Sequence, residues 1–167
     1  MGGRADKADI ENDNLAPDAC VCRQKAVSLQ AKHNPLNTKD MIIGTFHKST
    51  LVVGEQHTAQ AIGSGDMPVW ATPSMLALME NAAMAAVQEQ LEEGQTTVGA
   101  HIESSHLRPS PVGASVYATA ELTAAEGRKL HFRVQAYQHT PEGDLLLGEG
   151  THLRFIVDKK KFLNKIS

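Results

Sequence analysis

Apolar positions in this chain fall into one helical stretch and several alternating ones, preceded by a polar leader. The helical stretch carries Met75, Leu76, Met79, Ala82, Ala83, Ala86 and Val87 at the i, i+3, i+4, i+7 spacing of a buried face. Thr72 is placed to N-cap it, its hydroxyl accepting a first-turn N–H, and Pro73 suits the first helical position. The helix is expected to end near Glu92-Glu93-Gly94, with Gly94 as C-cap. Its opposite face has almost no charge for three turns, which predicts contact on all sides rather than one wet face. Glu80 is the exception, a carboxylate among Met, Ala and Leu.

Thr45 to Val53 reads as a first strand, His57 to Ile62 as a short strand or loop, and Gly63-Ser64-Gly65-Asp66 as a flexible entry to the helix. Four alternating segments follow the helix: Thr96 to Leu107, Ala114 to Ala124, Lys129 to His139, and Leu145 to Val157. The connections Ala125-Glu126-Gly127-Arg128 and Thr140-Pro141-Glu142-Gly143-Asp144 have hairpin composition, so the strands they join run antiparallel. The prediction is a strand, one apolar helix, then a four-stranded antiparallel meander: an α+β layer architecture with a curved sheet around the helix. Residues 1–40 are polar, carry Pro17 and Pro35, and read as a poorly ordered leader, with Cys20 to Lys32 its one candidate helix. Residues 41–167 form the predicted folded domain.

Composition narrows the picture. At 167 residues one domain is expected, and 41% apolar with 21% charged residues is ordinary for a soluble globular protein. A formal charge of −3 argues against nucleic acid as partner, because phosphate binding relies on excess Lys and Arg. No apolar run approaches the roughly 20 residues that span a bilayer. The N-terminal stretch is charged and lacks a signal peptide's apolar core, and Asp6 stands where a myristoylation signal wants Ser or Thr. These features predict a cytoplasmic protein that neither spans nor binds a membrane. Cys20 and Cys22 form one C-x-C pair, too few for a four-ligand zinc site, and read as free thiols. Among eight histidines, no H-x-x-x-H or H-E-x-x-H occurs, and His101 and His106 point to opposite faces of one strand. No metal and no other cofactor is expected. The basic run Lys159-Lys160-Lys161 reads as a solvated tail.

The element order describes the hotdog fold, and particular residues go further. Val69-Trp70-Ala71-Thr72, Leu78-Met79-Glu80, Val98-Gly99, Ser105-His106, Glu126-Gly127-Arg128 and Gly148-Glu149-Gly150-Thr151-His152-Leu153-Arg154 together resemble the fluoroacetyl-CoA thioesterase type of hotdog protein. The resemblance runs from about Phe46 to Ile166 and excludes the leader. It implies hydrolysis of an acyl-CoA thioester by a Thr, Glu and His set, here Thr72, Glu80 and His106. It also implies that Gly99 and Arg154 lie near the acyl group. That family places two phenylalanines just before the helix as a lid, whereas this chain has Gly63-Ser64-Gly65-Asp66. The departure predicts a more open mouth, with Trp70 and Met67 supplying bulk.

Thioester hydrolysis needs a nucleophile, a base and donors for the oxyanion. Glu80 suits the base, because burial in an apolar helix raises carboxylate basicity. Direct attack by Glu80, pairing with a buried cation, and exposure by local geometry are its alternatives. Thr72 is an N-cap, an acyl-end contact or a nucleophile. Its Cα lies about 12 Å along the axis from that of Glu80 at 1.5 Å per residue, too far for a direct relay. His106 is a candidate acid/base. Gly99 offers an unshielded amide to an oxyanion, or marks a bulge. Arg154 contacts the acyl end or a phosphate, or is a plain surface arginine, and it shares a strand face with His152. On a straight strand Gly99 and His106 are about 23 Å apart at 3.3 Å per residue, so a homodimer with the site at the subunit interface is expected. A non-catalytic acyl-CoA-binding module is the reading outside the enzyme class, and a hotdog dehydratase the rival within it.

Overall fold

The computed structural model describes residues 41–167, so the leader, its candidate helix and both cysteines lie outside the described residues. The elements are β1 (Phe46–Val52), a 3-10 turn at Glu55–His57, α1 (Ala59–Ile62), α2 (Thr72–Val87), β2 (Gln95–His106), β3 (Ser115–Glu126), β4 (Lys129–Thr140), β5 (Gly143–Asp158) and α3 (Lys159–Leu163). All five strands join one antiparallel sheet in the order β1-β3-β4-β5-β2.

The order corrects the expected meander at one strand. β3, β4 and β5 are hairpin neighbours, but β2 pairs with β5 at the far edge, not with β3. The reason lies in residues 107–114, which include Pro109 and Pro111 and carry the chain across instead of turning it back. Proline lacks the N–H that a tight turn needs on re-entering a ladder. By contrast Gly127, at φ 59, sits in the short turn between β3 and β4. The far edge of β2 is left without a neighbour among the described residues.

Two further expectations change around the helix. His57 to Ile62 is a 3-10 turn and then α1, because Thr58 Oγ1 caps it by accepting from the Ala61 N–H at 3.2 Å and Gly63 ends it at φ 74. And α2 stops at Val87, whose φ of −110 and ψ of 0 leave the helical region, so a 3-10 turn (Gln88–Gln90) follows and Gly94 belongs to the turn into β2.

The core forms where two periodicities meet. Met75, Met79, Ala82, Ala83, Ala86 and Val87 on α2 are buried against the alternate residues Val116, Ala118, Ala120 and Leu122 of β3 and Leu130, Phe132, Val134 and Ala136 of β4. Alanines on both sides let the helix sit close, and each large side chain fully buried there contributes about 1.5–3 kcal/mol. Contact does not extend round the helix. Ala77 is exposed and Leu76, Leu78, Met84 and Ala85 are only partly covered, so the expected all-round burial is not met within one chain. Ser49 Oγ donates to Asn81 Oδ1 at 2.8 Å, which ties the middle of α2 to β1. No helix among the described residues is long and apolar enough to cross a membrane.

Candidate active site

Two groups of polar side chains meet α2, one at its start and one at its middle. At the start, the N-cap position is Ala71, in extended conformation, and no side chain caps the helix. Thr72 is therefore the first helical residue, not the cap, and its hydroxyl is used otherwise. Thr72 Oγ1 lies 2.8 Å from His106 Nδ1 at the end of β2. The Trp70 ring meets the His106 ring edge-on, with centroids 6.3 Å apart. Trp70 itself is buried and fixed by its backbone N–H, which donates to the Ser110 carbonyl at 2.8 Å. Burial lowers the His106 pKa below the ordinary 6.5, outweighing the Arg108 backbone, which raises it. The neutral imidazole is thus the resting form. A cavity of about 500 Å³ opens over this group, lined by Trp70, Thr72 and His106 together with Ala59, Ser64 and Arg108.

At the middle of the helix, Glu80 faces β2 and β5. Its Oε1 lies 3.7 Å from Arg154 Nη1 and 3.5 Å from His152 Nε2. Gly99 comes so close that an added Cβ would stand 2.5 Å from Glu80 Oε1 and 3.2 Å from His152 Cε1. Pairing supplies the approach, since Gly99 is opposite Arg154 in the β2–β5 ladder and the register slips between Gly99 and His101. The bulge reading of Gly99 is therefore correct, and the bulge is also what sets this residue against the carboxylate.

Arg154 is no surface arginine, with 7% of its side chain exposed. Its Nε donates to Thr97 Oγ1 at 2.9 Å, its Nη2 to the Thr97 carbonyl at 2.8 Å, and its Nη1 to His152 Nε2 at 3.0 Å. Glu80 departs from expectation in the opposite sense. Its side chain is 43% exposed, with the buried Arg154 guanidinium 3.7 Å away. It makes no hydrogen bond among the described residues.

The residues marked in the sequence thus separate into two sets. Thr72, His106 and Trp70 come together, and so do Glu80, Gly99 and Arg154; among the described residues no hydrogen bond joins the sets. Neither His152 nor Thr97 is marked for the site in the sequence. The two-residue spacing of His152 and Arg154 was the available signal for the first, while Thr97 is found only through the β2–β5 pairing. Among the described residues no group of three or more His, Cys, Asp or Glu side chains is gathered to hold a metal ion.

Residues 53–160 match the family model described as fluoroacetyl-CoA-specific thioesterase. This chain belongs to that family. A fluoroacetyl-CoA thioesterase from Streptantibioticus cattleyicolor is 39% identical over 98 residues, which cover 59% of this chain and 68% of that protein. A solved structure of a fluoroacetyl-CoA thioesterase is 33% identical, with a TM-score of 0.67, covering 75% of this chain and 95% of the other. A thioesterase superfamily member from Thermus thermophilus is 29% identical at a TM-score of 0.67 over 80% of this chain and 92% of its own. The fold is accordingly the hotdog fold, and this member of the fluoroacetyl-CoA-specific thioesterase family is a thioester hydrolase acting on acyl-CoA.

Proposed function

We propose that Glu80 and His106 are the acid and base of this hydrolysis, that Thr72 works at the acyl end, and that the Gly99 amide faces the carbonyl oxygen. Glu80 carries the reading: a carboxylate pressed against Gly99, one cation fixed beside it, and no hydrogen bond occupying it. Such a group is free to take a proton from an attacking water. The new C–O bond forms at the thioester carbonyl, the C–S bond breaks, and the departing CoA thiolate takes a proton relayed through His106. Arg154 keeps positive charge near the carbonyl as negative charge develops. Neutral His106, with Nδ1 2.8 Å from Thr72 Oγ1, holds that hydroxyl in one orientation.

The two sets lie too far apart on one helix to act on one carbonyl, so the working site is completed by a second copy. The unpaired edge of β2 and the uncovered apolar side of α2 are the surfaces such a partner would cover. In the dimer, one protomer's Glu80 and Gly99 would face the other's Thr72 and His106. The segment Gly63 to Asp66, without aromatic bulk, leaves the mouth open to acyl groups larger than fluoroacetyl.

Free-thiol release across a panel of short, branched and aromatic acyl-CoAs tests the reading. Glu80→Gln should slow release by at least about 100-fold while acyl-CoA still binds. Binding without release by the wild type from every ester would support a non-catalytic module instead.

A further inference from the structure

Resting on that reading, we propose that His152 is a positioning residue: only as the neutral, Nδ1-protonated imidazole does it hold the Arg154 guanidinium beside Glu80 and leave the Glu80 carboxylate free. The partners fix the tautomer. His152 Nδ1 lies 2.8 Å from the His101 carbonyl oxygen, which can only accept, so Nδ1 carries the hydrogen. His152 Nε2 lies 3.0 Å from Arg154 Nη1, which can only donate, so Nε2 is bare.

Glu80 Oε1, 3.5 Å from the same Nε2, then faces a lone pair. Two acceptors make no hydrogen bond, and the carboxylate remains available to a water or substrate. Arg154 is held on three sides: by the Thr97 hydroxyl, by the Thr97 carbonyl and by His152. A guanidinium anchored this way cannot swing out to solvent, and its position 3.7 Å from Glu80 is built into the β2–β5 ladder.

Protonating His152 leaves the Nδ1 bond to the His101 carbonyl in place and reverses both contacts at Nε2. Nε2 becomes a donor, so it loses the Arg154 bond and turns to Glu80 Oε1, engaging the carboxylate that catalysis needs. The charged groups facing His152 are Glu80 from α2, Arg154 from its own strand and His101 from β2; Phe132, its partner across β4, is apolar. Burial, chiefly, with Arg154 and His101 adding to it, lowers the His152 pKa against the opposing pull of the His101 carbonyl and Glu80. The acid limb of activity should therefore fall below pH 6.5, where both His152 and His106 take up protons.

Two measurements on the full chain test this. Nitrogen-15 imidazole spectra of the wild type at pH 7.5 should show His152 neutral with the hydrogen on Nδ1; an Nε2-protonated or charged ring would overturn the proposal. This arm needs no turnover, so it stands even if no acyl-CoA is hydrolysed and the catalytic reading fails by itself. In the second arm, kcat/KM is followed from pH 5 to 9. His152→Gln keeps an acceptor for Arg154 but does not titrate. It should keep more of kcat at pH 8 than His152→Ala does, and take one protonation out of the acid limb, leaving that of His106. Thr97→Val removes one Arg154 anchor, and should lower kcat about 3- to 10-fold with the limb where the wild type has it. An acid limb unmoved in His152→Gln overturns the proposal.

Discussion

Gly99→Ala isolates the position of the Glu80 carboxylate from the stability of the fold. The new Cβ would stand 2.5 Å from Glu80 Oε1, against about 3.4 Å for ordinary van der Waals contact, so the carboxylate must retreat by about 0.9 Å. It can do so cheaply, because the obstructing atom is the far end of a flexible, half-exposed side chain. His152 Cε1, at 3.2 Å, needs to yield only a few tenths of an ångström. A displacement of about 1 Å in a positioned group costs on the order of 100-fold in rate, equivalent to about 2.7 kcal/mol of transition-state stabilisation. Stability should change by less than about 1 kcal/mol, since alanine also restricts the unfolded chain. Gly150→Ala is the contrast: its Cβ would meet the Ser104 Cα at 2.7 Å and the Glu103 carbonyl closer still, and backbone cannot step aside. Thiol release and thermal melts read the two quantities separately. Gly99→Ala should lose kcat and keep its melting temperature, whereas Gly150→Ala should lower the melting temperature by several degrees. A Gly99→Ala enzyme with wild-type kcat would refute the assignment of Glu80 to the reaction.

Other consequences follow from the same geometry. Glu80→Gln should reduce kcat by about 10²- to 10⁴-fold, the usual range for removing a general base, with acyl-CoA affinity retained by calorimetry. Thr72→Ala should leave stability within about 0.5 kcal/mol, because no cap is lost, where removing a true N-cap costs about 1 kcal/mol; equilibrium denaturation decides. Its activity should drop, and Thr72→Ser should restore it. Folding stability should fall as pH drops through 6.5, because the pKa values of His106 and His152 are both lowered in the folded chain. The unfolded chain takes up those protons first, and the loss is complete only below the folded values. A melting temperature constant from pH 8 to 5 would contradict this. Because the proposed site needs two copies, dilution that leaves one chain per particle should reduce specific activity, followed by sedimentation and assay together.

Periodicity made most of the fold legible. The alternation in β3 and β4 and the 3.6-residue spacing in α2 identify the core, because burial acts on side chains one at a time and leaves its mark in order along the chain. What was misread depends on partners that the order does not name. β2 looked like the neighbour of β3 because both alternate; pairing with β5 is decided by the length and prolines of residues 107–114. Thr72 looked like a cap because threonine before proline at a helix start is usually one. Local sequence offered its hydroxyl a backbone N–H, and only the return of β2 brings it His106. His152 was seen beside Arg154 but left without a role, since a histidine's tautomer is written in what its two nitrogens touch, and Thr97 and the His101 carbonyl lie a strand away.

The same reasoning changes how Glu80 should be understood. A lone carboxylate in an apolar helix invites the idea that burial tunes it, and the chain does not bury it. What surrounds it instead is fixed donors and acceptors: an arginine tied at three points, an imidazole presenting a lone pair, and a glycine whose missing side chain leaves the space the carboxylate occupies. None of these is on α2. The helix contributes the carboxylate, and the Ser49–Asn81 bond ties its middle to β1, while the β2–β5 ladder contributes the groups that face it. Selection for catalysis should therefore bear on Thr97, Gly99, His152 and Arg154 together, because moving any one of them displaces the others' partner before it disturbs the core.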